Sequence, residues 1–172
     1  MSVLLPVIVL GPCLTPVKGP KDIEQGAFRH VYEFINGTNT TTEIDFNFYS
    51  HVDVRDVARA HVLAMHVPEA GGQRISLSSS DVLSPQTVVN VINKNFPQLK
   101  DRVAKGNKDQ VYPTGSKPTL FSGDKAHKIF GDSWEFRSLE TTITDVVAQI
   151  LEQEKAFPPQ SSDASQGSSW AQ

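Results

Sequence analysis

Residues 3–10, Val-Leu-Leu-Pro-Val-Ile-Val-Leu, form an apolar run that stops at the turn pair Gly11-Pro12. Eight residues fall far short of the roughly 18 needed to cross a bilayer. A run of this length bounded by breakers reads as one strand buried on both faces of a parallel sheet. It does not read as a secretory leader, because no Lys or Arg precedes it and no small-x-small site follows. The sequons at Asn36 and Asn39 then read as chance matches in a polar turn. A strand of this kind needs helices on both sides, which sets the expectation of an α/β domain.

The remaining pattern agrees with that class. Asp22 is a plausible cap for a helix ending at Ile35, with Ile23, Ala27, Val31, Phe34 and Ile35 on one side and Asn36-Gly37 as its stop. Ile44, Phe46 and Phe48 alternate with polar residues, as a half-buried strand does. Asp53 is placed to cap the next helix, with Asp56 at its third position acting mainly on the positive end of the helix dipole. Val54, Val57, Ala58, His61, Val62 and Met65 are expected to form that helix's apolar face. A short strand follows at 74–78. Ser84-Pro85 opens a helix whose buried side is Val88, Val89, Ile92 and Phe96. After an irregular stretch over 100–118 come a short helix at 124–130 and a long one at about 138–155. The long helix carries Leu139, Ile143, Val146, Val147, Ile150 and Leu151 on one stripe. The domain is expected to span 1–156. Residues 157–172 shift to Pro, Ser, Gln, Gly and Asp, the composition of a disordered tail.

Composition removes several functions. Sixteen Lys and Arg against nineteen Asp and Glu give a formal charge of −3, with no basic surplus for a nucleic-acid backbone. One cysteine, Cys13, rules out an internal disulfide and leaves too few thiolates for a structural zinc site. Cys13 also has no base near it in sequence to make it a nucleophile. With no apolar span for a membrane, a reducing, cytoplasmic compartment is expected.

The order of these pieces carries a resemblance. The apolar strand with Gly-Pro leads to a helix, then V-D-V-R-D-V-A-R-A-H over 52–61, then Gly-Gln-Arg with a strand. N-F-P-Q-L-K over 95–100 and D-K-A-H-K-I-F-G over 124–131 follow, and an amphipathic helix closes the series. From Val3 to about Lys155 the chain resembles the C-terminal half of an extended short-chain dehydrogenase/reductase of the NAD-dependent epimerase/dehydratase group. Within that group it is similar to fungal NADPH-dependent ketone and aldehyde reductases related to dihydroflavonol reductase. The resemblance implies an incomplete Rossmann-like, doubly wound fold: the C-terminal strands with a helical substrate lobe. It implies NADP(H) as cofactor and a small or secondary-metabolite carbonyl compound as substrate.

The motifs that bind the cofactor and do the chemistry in that family are missing from these residues. There is no G-x-x-G-x-x-G or G-x-G-x-x-G to bring backbone amides to a pyrophosphate. The family's proton donor is a Tyr-x-x-x-Lys pair, and Tyr32, Tyr49 and Tyr112 are followed four residues on by Asn36, Asp53 and Ser116. Lys117 lies five residues from Tyr112, the wrong spacing. No catalytic residue and no metal ligand is therefore assigned. The resemblance places Pro6, Val7, Ile8 and Val9 beside the nicotinamide, with Leu5 where the family usually has Asn. It makes Phe28, Tyr32, Tyr49 and His51 candidates for the substrate pocket. Asp53, Arg55 and Asp56 match a helix-start motif that caps and fastens the substrate lobe. The chain alone is not expected to bind NADP(H). Two functions follow as expectations: a reductase completed by a polypeptide or upstream exon supplying the Gly-rich and Tyr-Lys half, or a truncated, catalytically inactive binding module that keeps the substrate lobe.

Overall fold

Proline interrupts the opening run. Pro6 has no N–H to give to a ladder, and the chain changes sheet partner just beyond it. In the computed structural model, which describes residues 1–15, 22, 28–38, 40–43 and 49–157, β1 (Val3–Pro6) pairs in parallel with β4 (Arg74–Leu77). After Val7, β2 (Ile8–Leu10) pairs in parallel with β3 (His51–Asp53). The single strand expected over 3–10 is thus two. Burial on both faces is not found either. Leu5 and Pro6 are exposed, Val3, Leu4 and Val7–Val9 are half-buried, and Leu10 alone is buried. Each strand has one partner among the described residues, which leaves too little structure around β1 to cover it.

Five helices complete the described fold: α1 (Arg29–Ile35), α2 (Val54–His66), α3 (Pro85–Asn95), α4 (Asp124–Phe130) and α5 (Leu139–Ala156). Ser84 caps its helix and Gly131 ends another as the sequence predicts, and the structure adds two further details. Ser84 and Thr87 form a reciprocal capping box with Pro85 in the first turn. The Ser138 hydroxyl accepts from Thr141 N at 3.1 Å to start α5, and Gly131, at φ +87°, stops α4. The helix α5 buries Leu139, Ile143, Val146, Val147 and Ile150 as expected, with Leu151 packed at the margin.

The β2–β3 pair separates two cores. On one side Leu10 joins α1, α3 and α5 through Val31, Phe34, Val88, Ile92, Ile143 and Val147. On the other, Val52 joins Ile75 and Leu77 of β4, Ala60 of α2, and Ala126, Phe130 and Trp134. Trp134 is closed in by the rings of Phe130 and Phe136 and by the Arg59 guanidinium 4.2 Å above its ring.

The face of α2 differs from the expectation. Val57 turns inward, but the rest of the inner side is Asp56, Ala60, Leu63 and Ala64. Ala58 and His61 are exposed, as are Val54, Val62 and Met65, with Met65 at 75%. Two carboxylates decide the rotation. Asp53 caps the helix and Asp56 points into the protein, so the small residues a turn or two later meet the sheet. The strand expected near 44–48, the early part of the first helix and the tail beyond 157 lie outside the described residues. Among the described residues no helix is long and apolar enough to cross a membrane.

Candidate functional site

The turn from β1 into β2 opens a cleft of about 460 Å³ lined by Leu5, Pro6, Val7, Ile8, Ser76 and Phe121. Three of the four residues expected beside a nicotinamide, Pro6, Val7 and Ile8, lie together here. Val9 lines a separate groove of about 400 Å³ with Leu10–Leu14, Val54, Arg55 and Ala58. The cleft is predominantly apolar, so it suits one face of a flat ring more than a charged group. Ser76 and Phe121 reach it from distant segments and carry no local signal in the sequence.

The four substrate candidates occupy different surroundings. Phe28 and Tyr32 are buried in the core with α3 and α5. Tyr49 is fully buried and meets the Tyr112 ring edge-on at 5.0 Å between centroids. His51 is fully buried on β3, opposite Ile8. Ile8 also borders a small cavity of about 60 Å³ with Leu10, His30, Val31, Leu83 and Val88. None of the four candidates is among the lining residues of these clefts.

Three acidic side chains gather near the start of α5. Asp53 Oδ1 accepts from Arg55 N and Arg55 Nε, each at 2.8 Å. Its Oδ2 accepts from Arg55 Nη2 at 2.7 Å and from Thr142 Oγ1 at 2.8 Å, and Arg55 reaches on to Asp145 at 2.6 Å. Asp56 accepts from the backbone N–H of Arg137 at 2.7 Å and pairs with its guanidinium. Asp81 accepts from Leu139 N at 2.7 Å. Residues 137–142 are thus held by carboxylates from β3, α2 and the loop after β4. Burial would raise the Asp53 carboxyl, but hydrogen bonds from Arg55 and Thr142 outweigh it and hold the group below the ordinary range. The bond to Asp53 in turn raises Arg55. Asp56 therefore does more than favour a helix dipole, which is what its position in sequence suggested.

Among the described residues neither ring nitrogen of His51 has a hydrogen bond of good geometry, although the Asp81 backbone lies close enough to favour the charged ring. Burial lowers its pKa, and the attraction of Asp81, Asp53 and Asp56 offsets only part of that. Burial thus favours the neutral form of a ring that lies close to the carboxylates that fasten α5.

This geometry is a parallel α/β arrangement with an apolar cleft at a strand crossover and a helical lobe clamped beside it, which is the class of the Rossmann-like reductases. No protein-family model matches the chain. Individual proteins do. The NADPH-dependent methylglyoxal reductase GRE2 of Saccharomyces cerevisiae is 30% identical over 141 residues, 78% of this chain and 40% of the relative. Cinnamoyl-CoA reductase 1 of Arabidopsis thaliana is 33% identical over 158 residues, 92% of this chain and 41% of the relative. The crystal structure of yeast methylglyoxal/isovaleraldehyde reductase Gre2 complexed with NADPH superposes with a TM-score of 0.67 at 29% identity, covering 90% of this chain and 47% of that one. The chain is homologous to NADPH-dependent carbonyl reductases of the extended short-chain dehydrogenase/reductase type. It spans about two-fifths of the length of the curated relatives it matches, consistent with their C-terminal half.

Proposed function

We propose that this chain is the substrate-lobe portion of an NADPH-dependent reductase acting on a small or secondary-metabolite carbonyl compound. The observation that carries the reading is the apolar cleft at Pro6, Val7 and Ile8 in a chain homologous to NADPH-dependent reductases. In this reading NADP(H) presents its nicotinamide ring to that cleft, and Val9, the next residue of the chain, lines the neighbouring groove. Tyr49 and His51, on and just before β3, support the substrate side from behind, and Phe28 and Tyr32 fix the position of α1 there.

The fit to the cofactor is partial. The cleft suits a flat ring, but the sequence has no Gly-rich turn to receive a pyrophosphate, and most dinucleotide recognition comes from such a turn. It also has no Tyr-x-x-x-Lys to donate a proton. In this proposal both come from residues outside these 172, on a polypeptide that packs against β1. A cytoplasmic location is part of the proposal, supported by the single cysteine and by the lack of a membrane-crossing helix among the described residues.

A mixing experiment tests this. The chain and a separately expressed reductase N-terminal half, carrying the Gly-rich turn and the Tyr-Lys pair, are assayed singly and together for NADPH oxidation on small aldehydes and ketones. Calorimetric titration with NADPH runs in parallel. Neither piece alone should turn over substrate, and the mixture should bind NADPH and reduce it. A mixture that associates yet stays inactive would favour the second reading, a binding module that keeps the lobe without the reaction. The missing Tyr-x-x-x-Lys is the observation behind that alternative.

A further inference from the structure

The last turn of α1 runs out into Asn36-Gly37-Thr38. Among the seven asparagines of the chain, Asn36 alone is followed by glycine. Its N–H donates to the Tyr32 carbonyl, the closing bond of the helix, and Gly37 then turns the chain away at φ +82°.

The Asn36 side chain is held in a turn of its own. Its Oδ1 accepts from Thr38 N at 2.9 Å and from Thr38 Oγ1 at 2.7 Å. The Thr38 hydroxyl also lies 3.4 Å from the Glu33 carbonyl, but the shorter contact takes its hydrogen. A backbone N–H can only donate, so the amide oxygen and not its nitrogen faces Thr38. Two donors on one carbonyl oxygen draw electron density from Cγ. They also stabilise the negative charge which that oxygen gains when Cγ is attacked.

The nucleophile is the next residue of the chain. Attack by Gly37 N on Asn36 Cγ closes a five-membered ring, an intramolecular step with a large proximity advantage. At ψ −1° the nitrogen is not over Cγ, so ψ of Asn36 must turn. Gly37 leaves room for that. It is exposed, its N–H makes no hydrogen bond among the described residues, and nothing lies within 4 Å of an added Cβ. Asn107 provides the contrast: it is exposed and its Oδ1 accepts from Asp109 N at 3.3 Å in the same kind of turn, but Lys108 follows it and puts a side chain in the way of ring closure.

We propose that Asn36 is a modification site, where spontaneous deamidation changes the end of α1 in one direction with time. The Gly37 N–Asn36 Cγ bond forms, the Cγ–Nδ2 bond breaks, and the Gly37 amide proton leaves with Nδ2 as ammonia. Water then opens the succinimide at either carbonyl to give aspartate or isoaspartate, with nothing oxidised or reduced. Either product puts a carboxylate at the negative end of the helix dipole. Isoaspartate also lengthens the main chain by one carbon through the former side chain, which dissolves the Thr38 turn. The last turn of α1 then opens more often. The site is independent of the reductase reading.

The test is to incubate the full chain at neutral and at mildly alkaline pH, digest it, and follow the peptides by mass spectrometry, with fragmentation separating isoaspartate from aspartate. Asn36 should convert at least tenfold faster than Asn107, yield both acids, and convert faster at alkaline pH, where the Gly37 amide loses its proton more readily. Thr38→Val changes an exposed residue, keeps its shape and removes the hydroxyl donor, so the protein should fold normally and convert at least threefold more slowly. Hydrogen exchange over residues 31–35 should be faster in the aged chain than in the fresh one. Equal rates at Asn36 and Asn107, aspartate as the only product, or an unchanged rate in Thr38→Val would overturn the proposal. Unchanged exchange in a chain shown to be converted would overturn its effect on α1.

Discussion

Asp56, at the third residue of α2, and Arg137, the residue before the α5 cap, are 81 residues apart and joined by two hydrogen bonds, one to backbone and one to the guanidinium. The fully buried carboxylate belongs to one helix and its partners to the approach of another. The contact therefore fixes how α5 docks on the β3–α2 junction.

Removing the Asp56 carboxylate leaves the Arg137 N–H without its acceptor inside the protein, which costs about 1–3 kcal/mol. Asp53→Ala removes a cap and the acceptor of Thr142, a loss in a similar range of about 1–3 kcal/mol. The expected result in urea titrations is two comparable losses. Asp56→Ala and Arg137→Ala should also combine less than additively, because they share one contact. A loss for Asp56→Ala under about 0.5 kcal/mol, the scale of a dipole contact alone, would mean that the pair contributes little.

His51 makes stability depend on pH. Its pKa in the folded chain is below the ordinary 6.5, so near and below that pH the unfolded chain binds more protons than the folded one. Stability is complete above about 6.5 and falls as the solution becomes more acidic. The Asp53 shift acts in a lower window, below its ordinary 3.8, and leaves this range unaffected. Melting temperatures measured from pH 7.5 to 5 should fall for the unaltered protein and change much less for His51→Gln. Parallel curves for the two would remove His51 as the cause.

The sequence made local structure legible and long-range structure much less so. Caps at Asp53 and Ser84, the stop at Gly131 and the stripe on α5 are set by residues close to one another in sequence, and all are found in place. The outward face of α2 was misread because apolarity alone assigns Val62 and Met65 inward, while the rotation is set by Asp56 and a partner 81 residues away. The break in the opening strand was signalled by Pro6, but the apolar residues around it pointed to one continuous strand. The cleft at Pro6–Ile8 follows from residues already singled out. Its other wall, Ser76 and Phe121, depends on how distant segments pack and has no local pattern.

Two glycines separate steric from conformational cost. Gly123 has an ordinary φ of −95°, yet an added Cβ would lie 2.2 Å from the Ser78 carbonyl oxygen and 2.7 Å from the Phe136 ring. One of these neighbours is backbone, so the β4 loop or the start of α4 must shift. Gly131 has φ +87° and nothing within 4 Å of an added Cβ. With ψ at −178° it occupies a region essentially open to glycine alone, so its cost is conformational, about 1–3 kcal/mol for any other residue, while overpacking at Gly123 also costs about 1–3 kcal/mol. Asparagine distinguishes the causes, because its tolerance of the left-handed helical well does not extend to this ψ. Gly131→Asn should lose as much as Gly131→Ala, and Gly123→Asn should be worse than Gly123→Ala. Thermal melts of the four variants check this, and recovery by asparagine at Gly123 would show that the contact with Ser78 is not the constraint.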